Sequence, residues 1–290
     1  MVVGSWGLPE ADIAPHTGGM NSRTWLVRHG ERTWMAKAVP ANRQRRFVSG
    51  LAVASIVEDA GIPAGRPEPT MDGRDWVAVE DHAMALLLFV EGEPLIGDDP
   101  DEQHLIGATL AQAHRALLDR DVPGAEVFHW LDPDAPHLDV APWVRPAVRD
   151  AIGAYDALPP ASLSWGLLHT DPAPEAFLLD RRTGTCGMID WDTGLTGPLM
   201  YDVASAVMYV GGSEWATALL DAYLTDAVIP ASEVDRALGT MLRMRWAVQA
   251  DYFAMRVATN DLTGVSGPEE NAAGLEDARR ALAPEPPGLA

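Results

Sequence analysis

The chain has 290 residues, 47% hydrophobic and 22% charged, enough to bury a large core in two lobes or one big domain. Its net charge of −21 excludes a phosphate-backbone partner such as nucleic acid, whose binding needs clustered Lys and Arg. One cysteine, Cys186, excludes internal disulfides and Cys-based zinc sites; with apolar runs too short for a bilayer and no basic leader, a cytoplasmic protein is expected.

Residues 24–28 (TWLVR) and 33–38 (TWMAKA) are rich in aromatic and β-branched side chains and flank a hairpin-sized HGER connection, which predicts paired strands. Residues 44–60 carry Phe47, Leu51, Val53, Ala54 and Val57 near helical spacing, and Gly61-Ile62-Pro63 ends the helix. Further strands are expected at 76–80 and 84–90. Glu91-Gly92-Glu93-Pro94 then breaks the run, which divides the chain into units 1–91 and 92–290. The second unit reads mostly helical. Residues 102–118 place Leu105, Ile106, Leu110, Ala113, His114 and Leu117 on one stripe, so His114 is a core residue by its spacing. Residues 132–146, rich in Pro, Asp and His, are expected to be irregular. Short strands at 166–168, 177–179 and 187–189 precede helices at 203–210, 214–224 and 232–260. The Pro-, Glu- and Ala-rich last twenty residues are expected to fray. No repeat of twenty to fifty residues is present, which removes solenoid folds.

Lys37 is the only lysine, against twenty arginines. A lysine retained in so biased a chain is suspect as one that arginine's planar fork cannot replace. Strand alternation puts it beside Met35 and Val39 on an inward face, where an idle charge is costly. The preceding His16-Thr17-Gly18-Gly19-Met20-Asn21-Ser22 could be an ordinary turn or a phosphate loop: Gly18 and Gly19 permit close backbone approach, and Thr17, Asn21 and Ser22 add donors. Neither GxGxxG nor GxxxxGK[ST] is present. Two carboxylates end apolar strands, Asp171 in LLHTDP and Asp190 in GMIDW, and an acid so placed needs a partner or a metal. Together with a lysine and a glycine loop they are the parts phosphoryl transfer needs. No GxSxG or HExxH accompanies them, which argues against a hydrolase or zinc protease.

On TGGMNSRTWLV, WMAKAV, LLLFVEGEPL, ATLAQAHRALL, HTDPAPEAFLLD, GMIDWD and GPLMYDVASAV, spread over residues 17–210, the chain resembles the aminoglycoside phosphotransferase family of small-molecule kinases, which also holds homoserine and choline kinases. The resemblance implies an α+β, protein-kinase-like fold of two lobes: a small antiparallel-sheet lobe binding nucleotide and a larger, mainly helical lobe for catalysis and the acceptor. It implies ATP and Mg²⁺. By it, Asp171 would be the catalytic base, with His169 bracing its loop, and Asp190 would hold Mg²⁺. Lys37 would contact the α- and β-phosphates, Thr17, Gly18, Gly19, Asn21 and Ser22 would form the phosphate loop, and Leu88, Phe89 and Val90 would take the adenine. Asp202 would accept hydrogen bonds from the catalytic-loop backbone. The chain departs from the family pattern twice. HGDxxxxN ends here in Ala176 instead of the metal-binding Asn, which leaves Glu175 as a substitute oxygen ligand. No glutamate stands near Phe47–Gly50, where the partner of the lysine is expected; Glu58 comes late.

The acidic composition favours a cationic antibiotic as acceptor, an aminoglycoside or a basic cyclic peptide of the capreomycin and viomycin type, whose phosphorylation would confer resistance. Asp132, Asp134 and Asp139 with Trp130 and Trp143 would line its cleft. The alternatives are a metabolite kinase acting on a homoserine-, choline- or sugar-like alcohol, and a non-catalytic nucleotide binder.

Overall fold

The computed structural model describes residues 2–16, 22–191, 194–226 and 228–282. The two aromatic, β-branched runs form a hairpin of β2 (Arg23–His29) and β3 (Arg32–Pro40), turned at Gly30, whose φ of 60° suits glycine. β1 (Asp12–His16) adds outside β2, and β5 (His82–Leu88) pairs with β3 and with β4 (Val77–Val79). The result is a five-stranded antiparallel sheet in the order β1-β2-β3-β5-β4. β1 escapes notice in the sequence because none of its five residues is buried, so it carries no apolar alternation.

Side-chain alternation splits the sheet into two faces. Val27, Trp34, Ala36, Val77 and Leu86 pack with Trp6, which follows a short helix α1 (Val2–Ser5). On the other face Val39, Ala83 and Ala85 pack with Phe47 and Leu51 of α2 (Gln44–Asp59). Lys37 belongs to this second face and is 4% exposed, as the strand period predicts.

Beyond the sheet come β6 (Glu93–Pro94) and α3 (Pro100–Leu117), whose N-cap Asp99 accepts from the amides of Asp101 and Glu102. β7 (Glu126–Val127), α4 (Val144–Asp156), β8 (Trp165–Leu168), β9 (Phe177–Asp180), β10 (Thr185–Met188) and β11 (Leu195–Pro198) follow. The chain then turns helical in α5 (Met200–Tyr209), α6 (Thr217–Thr225), α7 (Ala231–Thr259) and α8 (Pro268–Leu282). Two small sheets, β10-β9-β6 and β7-β11-β8, hold the ends of β8 and β10 against a core built on Ile106, Leu110, Phe177, Tyr201 and Met241. α3 and α6 cross so closely that a Cβ on Gly107 would stand 2.1 Å from the Leu219 carbonyl oxygen, which is why a small residue is required there.

The observed α+β architecture is the expected one, with three local differences. Residues 132–146 are not wholly irregular: they hold a 3₁₀ turn, Pro136–Val140, and the start of α4. The helix expected from 214 begins at Thr217. The segment expected to fray is helical to Leu282, because Gly274, Ala278 and Leu282 bury one face; residues 283–290 lie outside the described residues. No described helix is long and apolar enough to cross a membrane.

Candidate active site

The apolar strands β8 and β10 deliver the two acids to one place. Each strand ends in a left-handed residue that turns the chain sharply, Thr170 at φ 77° and Asp190 at φ 74°. Non-glycine residues adopt this conformation only when their surroundings hold them there. For Thr170 the holding group is Asp202 of α5, which is fully buried. Its Oδ2 accepts the His169 amide at 2.6 Å and its Oδ1 the Thr170 amide at 2.8 Å. His114 Nε2 lies 3.1 Å from the same Oδ2, and His114 Nδ1 lies 2.7 Å from the Tyr223 hydroxyl. His114 is thus a core residue, as its spacing predicts, and it also supports the loop. The His169 ring completes the brace. Its Nε2, 2.8 Å from the Ile189 carbonyl oxygen, must donate, so Nδ1 accepts the Asp171 amide at 3.3 Å. His169 therefore ties the Asp171 loop to the strand end that carries Asp190.

Asp190 meets Lys37 across the cleft, with Nζ 2.5 Å from Oδ1. The lysine side chain is 5% exposed and the aspartate 62%, so a buried cation holds a carboxylate that faces open space. The Lys37 charge keeps the Asp190 carboxyl below the usual range for an aspartate, against the opposing effect of its enclosure. Lys37 does not take its carboxylate from α2. Glu58 instead accepts the amides of Ala64 and Arg66 and stops the chain after the helix. At the position of the missing α2 glutamate the backbone is closely docked: a Cβ on Gly194 would lie 2.4 Å from that of Ser49.

Asp171 is exposed and held on one side only. Its Oδ1 accepts from the Tyr209 hydroxyl at 2.5 Å and from Arg245 Nη2 at 2.9 Å, and Arg245 also donates to the Tyr209 oxygen at 2.7 Å. Oδ2 has no partner among the described residues and is free to accept a proton. The Arg245 carbon lies 5.2 Å over the Tyr209 ring. Burial works against the Arg245 charge, but the oxygens of Tyr209, Asp171 and Tyr201 outweigh it and its pKa stands above the ordinary value. Burial raises Tyr209 and Tyr201 as well, so both remain protonated phenols, and Tyr209 donates to Asp171. Arg245, Tyr209 and Tyr201 were not singled out from the sequence. A signal existed for one of them: Arg245 follows Met241 by four residues on α7, an uncompensated charge at the spacing of the buried stripe.

Glu175 lies on the 3₁₀ turn Pro174–Ala176, exposed and without a hydrogen bond among the described residues. It follows Asp171 by four residues in the same loop, and its charge acts on Tyr209, which bonds Asp171. Ala176 is buried and its carbonyl accepts the Ile189 amide at 2.8 Å, so this position supports the fold and offers no side-chain ligand. Asp190 keeps one carboxylate oxygen without a partner among the described residues, and Glu175 offers an exposed carboxylate, a pair of hard oxygen donors that suits Mg²⁺. The only described trio of acids close enough to share an ion is Asp98, Asp99 and Glu102, which caps α3 and the loop before it.

The Leu88–Val90 segment crosses from β5, with Leu88 still in the sheet and Phe89 38% exposed. The backbone groups of Phe89 and Val90 have no partner among the described residues, which leaves them open to an external hydrogen-bonding edge. Gly65 and Gly187 flank Val90, and a Cβ on Gly187 would stand 2.7 Å from Val90 Cγ1. Thr17, Gly18, Gly19 and Asn21 lie outside the described residues. Ser22 leads into β2 beside a cavity of about 340 Å³ lined also by His16, Arg23, Thr263 and Gly264.

The expected acidic lining for a cation takes a different form. Asp139 receives Arg145 Nε at 2.8 Å, Asp134 receives Arg149 Nη2 at 2.6 Å, and Asp132 closes a turn by accepting the Asp134 amide at 2.9 Å. Trp130 and Trp143 are half-buried against the main core, and Arg46 covers the Trp130 ring at 5.6 Å. Arginines of α4 thus pair with two of these three carboxylates, which stay exposed.

A family model described as the phosphotransferase enzyme family matches residues 12–238. The homoserine kinase of Xanthobacter autotrophicus is 28% identical over 192 residues, 61% of this chain and 59% of that protein, so the match spans about three-fifths of the relative's length. Among solved structures, amicoumacin kinase hAmiN in complex with AMP-PNP, Ca²⁺ and Ami superposes with a TM-score of 0.76 at 13% identity, covering 97% of this chain and 90% of that one. A microcompartment-associated aminopropanol kinase superposes with a TM-score of 0.73 at 19% identity, covering 97% and 94%. At these identities the likeness is one of fold, and the fold is the kinase-like one.

Proposed function

Because the chain belongs to the phosphotransferase enzyme family, we propose that it is a small-molecule kinase that uses ATP and Mg²⁺, with residues 1–91 binding nucleotide and 92–290 carrying catalysis and the acceptor. The observation that carries this reading is the Lys37–Asp190 pair facing a braced Asp171 with one free oxygen. Asp171 Oδ2 takes the proton of an acceptor hydroxyl. The hydroxyl oxygen forms a bond to the γ-phosphorus, the bond to the bridging oxygen breaks, and ADP leaves with the electron pair. Lys37 neutralises the α- and β-phosphates, and the free backbone of Phe89 and Val90 takes the adenine edge. When bound, Mg²⁺ supplies charge neutralisation on the phosphates, with Asp190 as its chief protein ligand.

Glu175 stands in for the absent Asn as the second carboxylate. Glu175→Ala should therefore raise the Mg²⁺ concentration that gives half-maximal rate while leaving the saturated rate nearly intact. An unchanged Mg²⁺ dependence would return Glu175 to the surface.

For the acceptor, the geometry favours a compact metabolite alcohol. Asp132, Asp134 and Asp139 are occupied by turn and arginine contacts, and a buried arginine stands beside the base, both unfavourable to a polycation. The likeness to a homoserine kinase supports the same class. The second reading, a cationic antibiotic, draws on the net charge of −21. The third, a nucleotide binder without turnover, draws on Ala176. ADP release measured against hydroxylated metabolites, aminoglycosides and basic peptide antibiotics separates them. The expected result is turnover on a metabolite alcohol that Lys37→Met abolishes. Turnover only on antibiotics supports the second reading, and nucleotide binding without any turnover the third.

A further inference from the structure

Arg245 has more hydrogen-bonding capacity than the protein uses. A guanidinium carries five N–H donors. Only Nη2 is engaged, by Asp171 and the Tyr209 oxygen. Nε is buried with no partner, and Nη1 makes no hydrogen bond among the described residues, although the side chain is only 8% exposed. The Tyr201 hydroxyl, on α5 like Tyr209, is likewise buried without a hydrogen bond of ordinary geometry among the described residues, and the Arg245 charge acts on it. Unsatisfied buried donors are rare in folded proteins. Here two side chains hold such donors in one cluster beside the candidate base, from elements that otherwise pack tightly. The Asp171 carboxylate already answers the Arg245 charge through Nη2, but the remaining donors lack acceptors among the described residues.

We propose that Arg245, aided by Tyr201, binds an oxyanion of the acceptor next to the hydroxyl that Asp171 deprotonates, so that the acceptor is a compact hydroxy acid or hydroxy amino acid. The proposal rests on the reading of Asp171 as the acceptor-side base. Arg245 Nη2 is 2.9 Å from Asp171 Oδ1, so an oxyanion held by a further hydrogen bond of about 2.9 Å from the same guanidinium lies roughly 5 Å from the carboxylate whose other oxygen receives the acceptor's proton. A small molecule that touches both groups must carry its oxyanion and its hydroxyl only a few bonds apart. The planar fork suits a carboxylate, which it can grip with two parallel N–H donors. An ammonium group in the same place would meet a fixed like charge.

The test uses pairs of acceptors that differ only by the carboxylate: homoserine against 3-aminopropan-1-ol, and threonine against 1-aminopropan-2-ol. Each is titrated calorimetrically into the full chain with Mg²⁺ and a non-hydrolysable ATP analogue. The acid of at least one pair should bind ten-fold or more tighter than its amine. Arg245→Gln should remove that preference, and Arg245→Lys should keep only part of it, because the charge stays and the fork is lost. Tyr201→Phe, which preserves the packed ring, should reduce the preference and keeps the question open to test if the Arg245 variants fail to fold. Equal binding of acid and amine overturns the proposal, as does binding by neither pair. Arg245 variants that weaken the analogue, or both members of a pair equally, would assign the oxyanion to the γ-phosphate and overturn it too. The kinase reading fails separately, through absent nucleotide binding or turnover indifferent to Asp171.

Discussion

Asp171→Asn should lose roughly 10²–10⁴-fold in kcat while keeping its affinity for nucleotide and its melting temperature. The geometry decides which way the new amide lies. Oδ1 receives two donors, the Tyr209 hydroxyl and Arg245 Nη2, so the amide oxygen must take that side. The NH₂ group is then forced toward the position of Oδ2, where it presents a donor to the acceptor hydroxyl instead of a base. The substitution is nearly isosteric, and the hydrogen bonds of Asp202 and His169 that shape the loop use backbone amides it leaves alone. A kcat within a few-fold of wild type, measured as ADP release at saturating acceptor, would remove Asp171 from the role of base.

The acids at the site are legible in the sequence because strand ends are. Asp190 directly follows Gly187-Met188-Ile189 and Asp171 comes after Gly166-Leu167-Leu168 with two residues between, and a charge entering a loop there needs a physical reason. Lys37 is legible for two local reasons, its uniqueness and the period-two alternation that puts it beside Met35 and Val39. Asp202 and the role of His169 needed the resemblance to a family, since no spacing joins residues 169 and 202. Arg245 and Tyr209 stayed hidden because their relation to Asp171 is purely tertiary: α5 and α7 bring them in from 38 and 74 residues away. The acidic segment before α4 is only half legible, for the opposite reason. Along the chain Asp132, Asp134 and Asp139 form a cluster of one sign, while Arg145 and Arg149, in the first and second turns of α4, pair with Asp139 and Asp134. A charge cluster read along the chain becomes a site only if the next element does not neutralise it.

The largest combined effect on fold and activity is expected at Asp202. Its two oxygens accept the amides of His169 and Thr170, and its Oδ2 also faces His114, with no part of the side chain exposed. Asp202→Ala removes the acceptor of the buried His169 amide, at about 1–3 kcal/mol, and one acceptor of the half-buried Thr170 amide. It also frees Thr170 to abandon its positive φ, which the surroundings impose. The loop then relaxes, and Asp171 leaves the reach of Tyr209 and Arg245. We expect a lowered melting temperature together with a kcat loss at least as large as that of Asp171→Asn, since the base is displaced and not merely neutralised. Asp202→Asn should be nearly as harmful: whichever way the amide turns, its NH₂ confronts a backbone N–H. Amide hydrogen exchange gives the direct readout. In the wild type the His169 and Thr170 amides should be among the slowest in the loop, and in Asp202→Ala they should exchange faster while α3 and α7 remain protected. Wild-type exchange at both amides in a folded variant would show that the strand ends hold the loop without Asp202, and the brace assigned to it would have to be found elsewhere.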